Sequence, residues 1–136
     1  MVAWCYGAPG IGLARLASLE YIDDAAIRAE IDAALQTTLT EGFSMNHSLC
    51  HGDMGNLEMP LTVIQLLNNT GYCEPLERLA CMLLDSIDTQ GWCCGIPSSV
   101  ETPGLMLGLS GIGYALLRLA APERVPSVLT FAAPCR

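Results

Sequence analysis

The sequence repeats itself, and a repeat restricts the available folds more than any composition does. Trp4-Cys5-Tyr6-Gly7-Ala8-Pro9 returns 88 residues later as Trp92-Cys93-Cys94-Gly95-Ile96-Pro97. Gly10-Ile11-Gly12, followed by Leu-Ala-Arg-Leu, returns 101 residues later as Gly111-Ile112-Gly113 ahead of Tyr-Ala-Leu-Leu-Arg-Leu, so the last copy carries 13 extra residues. Between them stands Cys50-His51-Gly52-Asp53-Met54-Gly55, 45 residues after Cys5. The chain reads as units of about 44 residues, each opened by a turn that holds Cys and Gly.

An apolar stretch follows each turn: Gly10 to Leu19, Met59 to Leu67 and Leu105 to Ala121. These stretches are apolar on most faces, which predicts buried helices. Pro60 suits a first helical turn. The intervening segments are amphipathic. Asp24 can cap a helix whose Ile27, Ile31, Leu35 and Leu39 share one face. Pro75 can open another, with Leu76, Leu79, Leu83 and Ile87 aligned and Gly91 as its stop. No segment alternates with period two, so strands are not needed. Buried helices alternating with amphipathic ones predict an all-α fold, an α/α toroid of inner and outer helices, of which residues 1–136 supply about three hairpins.

Composition removes several functions. The net charge is −8 and every basic residue is Arg, so there is no basic patch for nucleic acid and no polybasic membrane anchor. Gly104 to Ala121 is the most membrane-like stretch, but its four Gly, Ser110 and Arg118 suit a buried helix better than a span. The N-terminus lacks the features of a signal peptide, and seven Cys is an odd number; both point to a reducing cytoplasm with metal-binding or core thiols. Cys73 and Cys81 read as core thiols, Trp4 and Trp92 as repeat-equivalent core aromatics, and Glu101 as a solvated charge. A chain 51% hydrophobic holds more apolar surface than a small domain can hide, which suggests that a neighbouring segment or chain covers part of it.

The chemistry gathers at the turns. Parallel inner helices would bring Cys5, Cys50 and either Cys93 or Cys94 to one rim. His51 follows Cys50 in a Gly-flanked turn, where a bent backbone can aim consecutive side chains at one point. Two thiolates and an imidazole are a zinc set, and three ligands leave a fourth position open for a substrate thiol. Two other readings stand beside it: core thiols with a hydrogen-bonded His, and a closed structural site completed by Cys93 or Cys94. His47 could act as a local acid or as a support for the ligands. Asp53 could orient His51 or cap the next helix.

Trp4-Cys5-Tyr6-Gly7 with Pro9-Gly10-Ile11-Gly12 resembles a motif of the lanthionine synthetase C-like cyclases. Ser48-Leu49-Cys50-His51-Gly52 resembles a second, and Pro103 to Tyr114 with Arg118-Leu119 looks like their last inner helix. Pro126-Ser127-Val128-Leu129, ahead of Pro134, resembles the tail of the class II bifunctional synthetases. The resemblance implies an α/α toroid of inner and outer helices, with zinc held by Cys5, Cys50 and His51. It implies addition of a peptide Cys thiol to dehydroalanine or dehydrobutyrine, with a dehydrated precursor peptide as substrate. It gives Tyr6, next to the first ligand, an orienting or proton-transfer role, with a packed rim aromatic as the other reading. The family also uses an Asp and a His upstream of the first zinc Cys, and neither has a counterpart here. On that ground the chain is expected to be the C-terminal part of a cyclase domain, truncated at its N-terminus. The alternative is a non-catalytic zinc-binding fragment that needs a partner, either the missing N-terminal half or a dehydratase domain. A third class, a protein forming small-molecule or glutathione adducts, fits the tail less well.

Overall fold

The computed structural model describes residues 2–133, and the expected Pro134 of the tail motif lies outside them. Five helices follow one another: α1 (Ala8–Ser18), α2 (Ala25–Glu41), α3 (Asp53–Leu67), α4 (Cys73–Gln90) and α5 (Leu109–Ala120), with short 3₁₀ turns at Thr70–Tyr72 and Pro97–Ser99. Among the described residues there is no strand beyond one isolated bridge between Ala3 and Tyr6. The fold is all-α, as the repeat requires. No helix among them is long and apolar enough to cross a membrane.

The amphipathic helices form as their sequences dictate. Asp24 Oδ1 accepts the Ile27 N–H at 2.9 Å and caps α2. Ile31 and Leu35 are buried, and Ile27 and Leu39 pack around them. In α4, Leu83 is buried while Leu76, Leu79 and Ile87 lean on the core, and Gly91 ends the helix at φ 77°. Cys73 is half-buried and Cys81 exposed, so Cys81 is a surface thiol and not the expected core one. Trp92 is also largely outside the core, unlike Trp4.

Helix α3 is the hub and packs against α1, α2, α4 and α5. Its first eleven residues, Asp53 to Val63, are all buried. It begins at Asp53, so Pro60 stands inside the helix and not in its first turn. The buried surroundings of α3 override the local preference of proline for a first turn. Burial of Glu58 is matched by Arg118 of α5, whose Nε and Nη2 donate to Glu58 Oε1 at 3.1 and 3.0 Å. Arg118 Nη1 also donates to the carbonyls of Pro122 and Val125, and Nη2 to Gln65 Oε1. The guanidinium therefore ties α3, α5 and the tail together. Tyr114 extends that tie: its hydroxyl donates to Pro126 O and accepts from Val128 N–H, which seats Leu129 in the core.

The surplus hydrophobicity of the sequence is spread over the surface: Ile11 of α1, Leu66 of α3, Met82 and Leu84 of α4 and Leu117 of α5 are all exposed.

The repeat is visible in the backbone. Gly7, Gly52 and Gly108 are the N-caps of α1, α3 and α5. Three residues further on, Gly10, Gly55 and Gly111 each lie so close to a carbonyl six residues upstream, of Trp4, Leu49 and Leu105, that no Cβ would fit. Cys5, Cys50 and Met106 are therefore the equivalent positions. The expectation that Cys93 or Cys94 shares this place is corrected: the 13 extra residues precede α5, so the turn abutting that helix is Leu105–Gly108. Cys5 N–H donates to Cys50 O at 3.1 Å, and Cys50 N–H to Met106 O at 2.9 Å, which sets the three turns side by side.

Gly55→Ala should destabilise the fold by on the order of 3 kcal/mol, since its methyl meets the Leu49 carbonyl. Gly113→Ala, in the same repeat frame with nothing within 4 Å of the added carbon, should be neutral or stabilise by up to about 1 kcal/mol. Urea unfolding of the two variants measures the contrast.

Candidate metal centre

Cys5 sits in a tight turn closed by reciprocal backbone bonds between Ala3 and Tyr6. Cys50 and His51 sit in the turn that enters α3. Asn46 shapes that turn: its side-chain oxygen accepts Ser48 N–H at 2.9 Å and its carbonyl accepts Asp53 N–H at 2.7 Å. Gly52 passes so close to Asn46 that a side chain there would collide with it. The backbone is thus bent by Asn46 on one side and relieved by Gly52 on the other, and Cys50 and His51 turn the same way.

One ligand atom each from Cys5, Cys50 and His51 lie within 4.8 Å of one another. Cys5 is exposed, and Cys50 and His51 are half-buried, so the cluster is open on the Cys5 side. Cys93 and Cys94 do not join it among the described residues; Cys94 is buried in the core. Beside Cys5 runs a groove of about 770 Å³ whose lining includes Trp4, Ile11, Leu129 and Phe131.

The donor set fits a soft or borderline divalent cation. Burial pushes the Cys50 thiol up to about 11, helped by a hydrogen bond with Cys5 and by its charge. Two adjacent thiols cannot both ionise without a compensating charge, and a metal ion supplies one. Two sulfurs and one imidazole nitrogen are ligands zinc favours.

The remaining singled-out residues fall as follows. Asp53 accepts the Ser44 and Met45 N–H groups, both at 3.1 Å. It is the first residue of α3, whose N-cap is Gly52 and carries no side-chain bond, so the expected capping role is replaced by closure of the preceding loop. Burial raises its pKa, partly offset by those two amides. Tyr6 is 73% exposed, so its ring is not a packed rim aromatic. His47 is 1% exposed, accepts Cys93 N–H on Nδ1 at 3.1 Å and pairs through Nε2 with Ser86 Oγ at 2.9 Å. Burial lowers its pKa. The sequence reading missed Gly95, which abuts His51, and the tail residues Leu129 to Phe131 beside Cys5. The constant six-residue interval from Trp4 to Gly10, Leu49 to Gly55 and Leu105 to Gly111 was the available signal for the true third turn.

The family described as "Lanthionine synthetase C-like protein" matches residues 1–130. Among curated proteins, the lacticin 481/lactococcin biosynthesis protein LcnDR2 of Lactococcus lactis subsp. lactis is 28% identical over 128 residues. That alignment takes in 85% of this chain and 14% of the relative, so the chain spans about a seventh of that protein's length.

With its thiol held up to about 11, Cys50 of the metal-free chain should alkylate slowly at pH 7, its rate rising about tenfold per pH unit until near that value. Cys5→Ala removes the neighbouring sulfur and should shift the rise to lower pH. Mass spectrometry of iodoacetamide-treated protein across a pH series reads both.

Proposed function

The chain belongs to the lanthionine synthetase C-like family, and from that premise we propose that it carries the zinc centre of a lanthipeptide cyclase. The observation that carries this reading is the convergence of Cys5, Cys50 and His51 within 4.8 Å on the open side of two adjoining turns. Cys5 and Cys50 would hold the ion as thiolates and His51 as a neutral imidazole. A zinc ion there supplies the positive charge that lets a peptide thiol ionise at neutral pH.

The reaction is addition of the thiolate sulfur of a precursor-peptide Cys to the β-carbon of dehydroalanine or dehydrobutyrine. The carbon–carbon π pair moves to the α-carbon as an enolate, a proton arrives there, and a thioether ring results. This chain's own contribution is to bind and to orient. The groove along Trp4, Ile11 and Phe131 gives the apolar part of a peptide a place beside Cys5. Tyr6, exposed next to that ligand, would be open to contact with the substrate. The family's toroid would continue the side-by-side series of turns that Cys5, Cys50 and Met106 begin.

A second reading has its own observation. His47 has both ring nitrogens engaged within the chain, so it is not free to deliver a proton at the cluster. Together with the exposed apolar face of α1, this favours a zinc-binding fragment that needs a partner segment to deliver the proton.

Purified chain should contain about one zinc per molecule by elemental analysis, and Cys5→Ala or Cys50→Ala should lose it. A folded, metal-free wild type would sink the proposal. Incubation with a dehydrated precursor, followed by mass spectrometry of residual free thiols, separates the two readings. Ring formation by this chain alone removes the fragment reading; rings only after addition of a complementary segment establish it.

A further inference from the structure

Trp92–Gly95 copies the ligand turn in sequence, yet none of its side chains enters the cluster. It backs the ligand turn instead. Cys93 O accepts His47 N–H at 2.7 Å, and Cys93 N–H donates to His47 Nδ1 at 3.1 Å. Since Nδ1 accepts, the ring proton is on Nε2 and points to Ser86 Oγ of α4 at 2.9 Å. The imidazole thus pins the start of the ligand turn to α4 and to the turn at Cys93.

Gly95 makes the second contact. Its N–H donates to Leu107 O at 2.8 Å, next to the Met106 carbonyl that holds Cys50 N–H. In that position a Cβ on residue 95 would stand 2.5 Å from Ser48 Oγ, 2.8 Å from Ser48 Cβ and 3.1 Å from His51 Nε2. The absence of a side chain on Gly95 therefore leaves the space that Ser48 and the His51 ring occupy, and any side chain there would intrude on both. Cys50 and His51 are consecutive, and consecutive side chains converge on one ion only while the backbone between them keeps an unusual bend. Groups that hold that bend and stop the ring are groups that set metal affinity.

We propose that His47 and Gly95 are positioning residues of the metal centre, and that the non-ligating turn Trp92–Gly95 exists to fix the direction of the His51 imidazole. The inference rests on the zinc reading above. It assigns a role to a copy of the motif that has lost its place at a helix start and kept its place behind the ligands.

The test compares wild type, His47→Leu, His47→Asn, Ser86→Ala, Gly95→Ala and Gly104→Ala. Two measurements are made: zinc affinity by competition with a chromogenic chelator, and the absorption spectrum of the Co²⁺-substituted protein. His47→Leu and Gly95→Ala should lose about 10–100-fold in affinity and alter the Co²⁺ bands. His47→Asn, which keeps an acceptor for Cys93 N–H, should recover most of the loss. Ser86→Ala should cost only a few-fold. Gly104→Ala, with nothing within 4 Å of its new carbon, should match wild type. Unchanged affinity and bands in Gly95→Ala and His47→Leu, with equal thermal destabilisation of chelated and metal-loaded forms, would overturn the inference and leave the zinc reading intact. A folded wild type that binds neither metal would overturn both. Should His47→Leu not fold, Gly95→Ala and Ser86→Ala decide the matter alone.

Discussion

The molecule depends on how closely three helix-entry turns can be set beside one another. Cys5 donates its N–H to the carbonyl of Cys50, and Cys50 donates to that of Met106. Side chains on adjoining turns are then close enough to share a ligand. The approach requires a helix start that folds back over its own preceding turn. Gly10, Gly55 and Gly111 provide it, because each lies where any side chain would strike a carbonyl six residues earlier. The glycines fix the turns, the turns fix the hydrogen bonds, and the hydrogen bonds bring two sulfurs from residues 45 apart to one place.

Much of this was legible beforehand. The amphipathic helices α2 and α4 follow from period and caps, because their outer faces meet water and their inner faces meet core. Cys5, Cys50 and His51 were legible as a set because a repeat converts sequence distance into spatial equivalence. The third turn was not, because two segments compete for it. Trp92–Gly95 keeps the letters of the motif, whereas Leu105–Gly108 keeps its geometry. Close approach of backbone to backbone tracks the glycine interval, not the cysteines, so the letters misled. Pro60 and Asp53 failed for another reason. Each was judged by local preference, but the start of α3 is the most enclosed part of the fold, where tertiary burial overrides a residue's usual place.

Charge is handled in two separate ways. At the buried junction of α3, α5 and the tail, Glu58 faces Arg118, so the pair is compensated within the chain and the guanidinium's donors go to oxygens. Such a pair fixes geometry more than it adds stability. At the cluster the charge partner of the Cys50 thiol, among the described residues, is Cys5 and not a cation. Their neighbours are an imidazole and the apolar groove of Trp4, Ile11 and Phe131. In the first place a full complement of partners makes a rigid joint. In the second, burial and the neighbouring Cys5 raise the Cys50 thiol above its usual range, and the proposed ion would supply the compensating charge.

The asymmetry of the ligand set follows from the repeat. Turns that hydrogen-bond side by side are about 5 Å apart, so turns two steps apart are about 10 Å apart. Zinc–sulfur and zinc–nitrogen bonds of about 2.0–2.3 Å cannot bridge the longer distance. A single ion in the proposed centre could therefore take the equivalent residue from only two neighbouring repeats, here Cys5 and Cys50, with Met106 of the third beyond its reach. A third ligand must come from the same turn as one of the first two. In the proposed centre it is His51, next to Cys50, and that adjacency calls for a sharply bent backbone. The bend at Asn46 and Gly52 and the space kept at Gly95 fit the same spacing: turns set side by side would supply two ligands of the proposed centre by symmetry and must break that symmetry to supply the third.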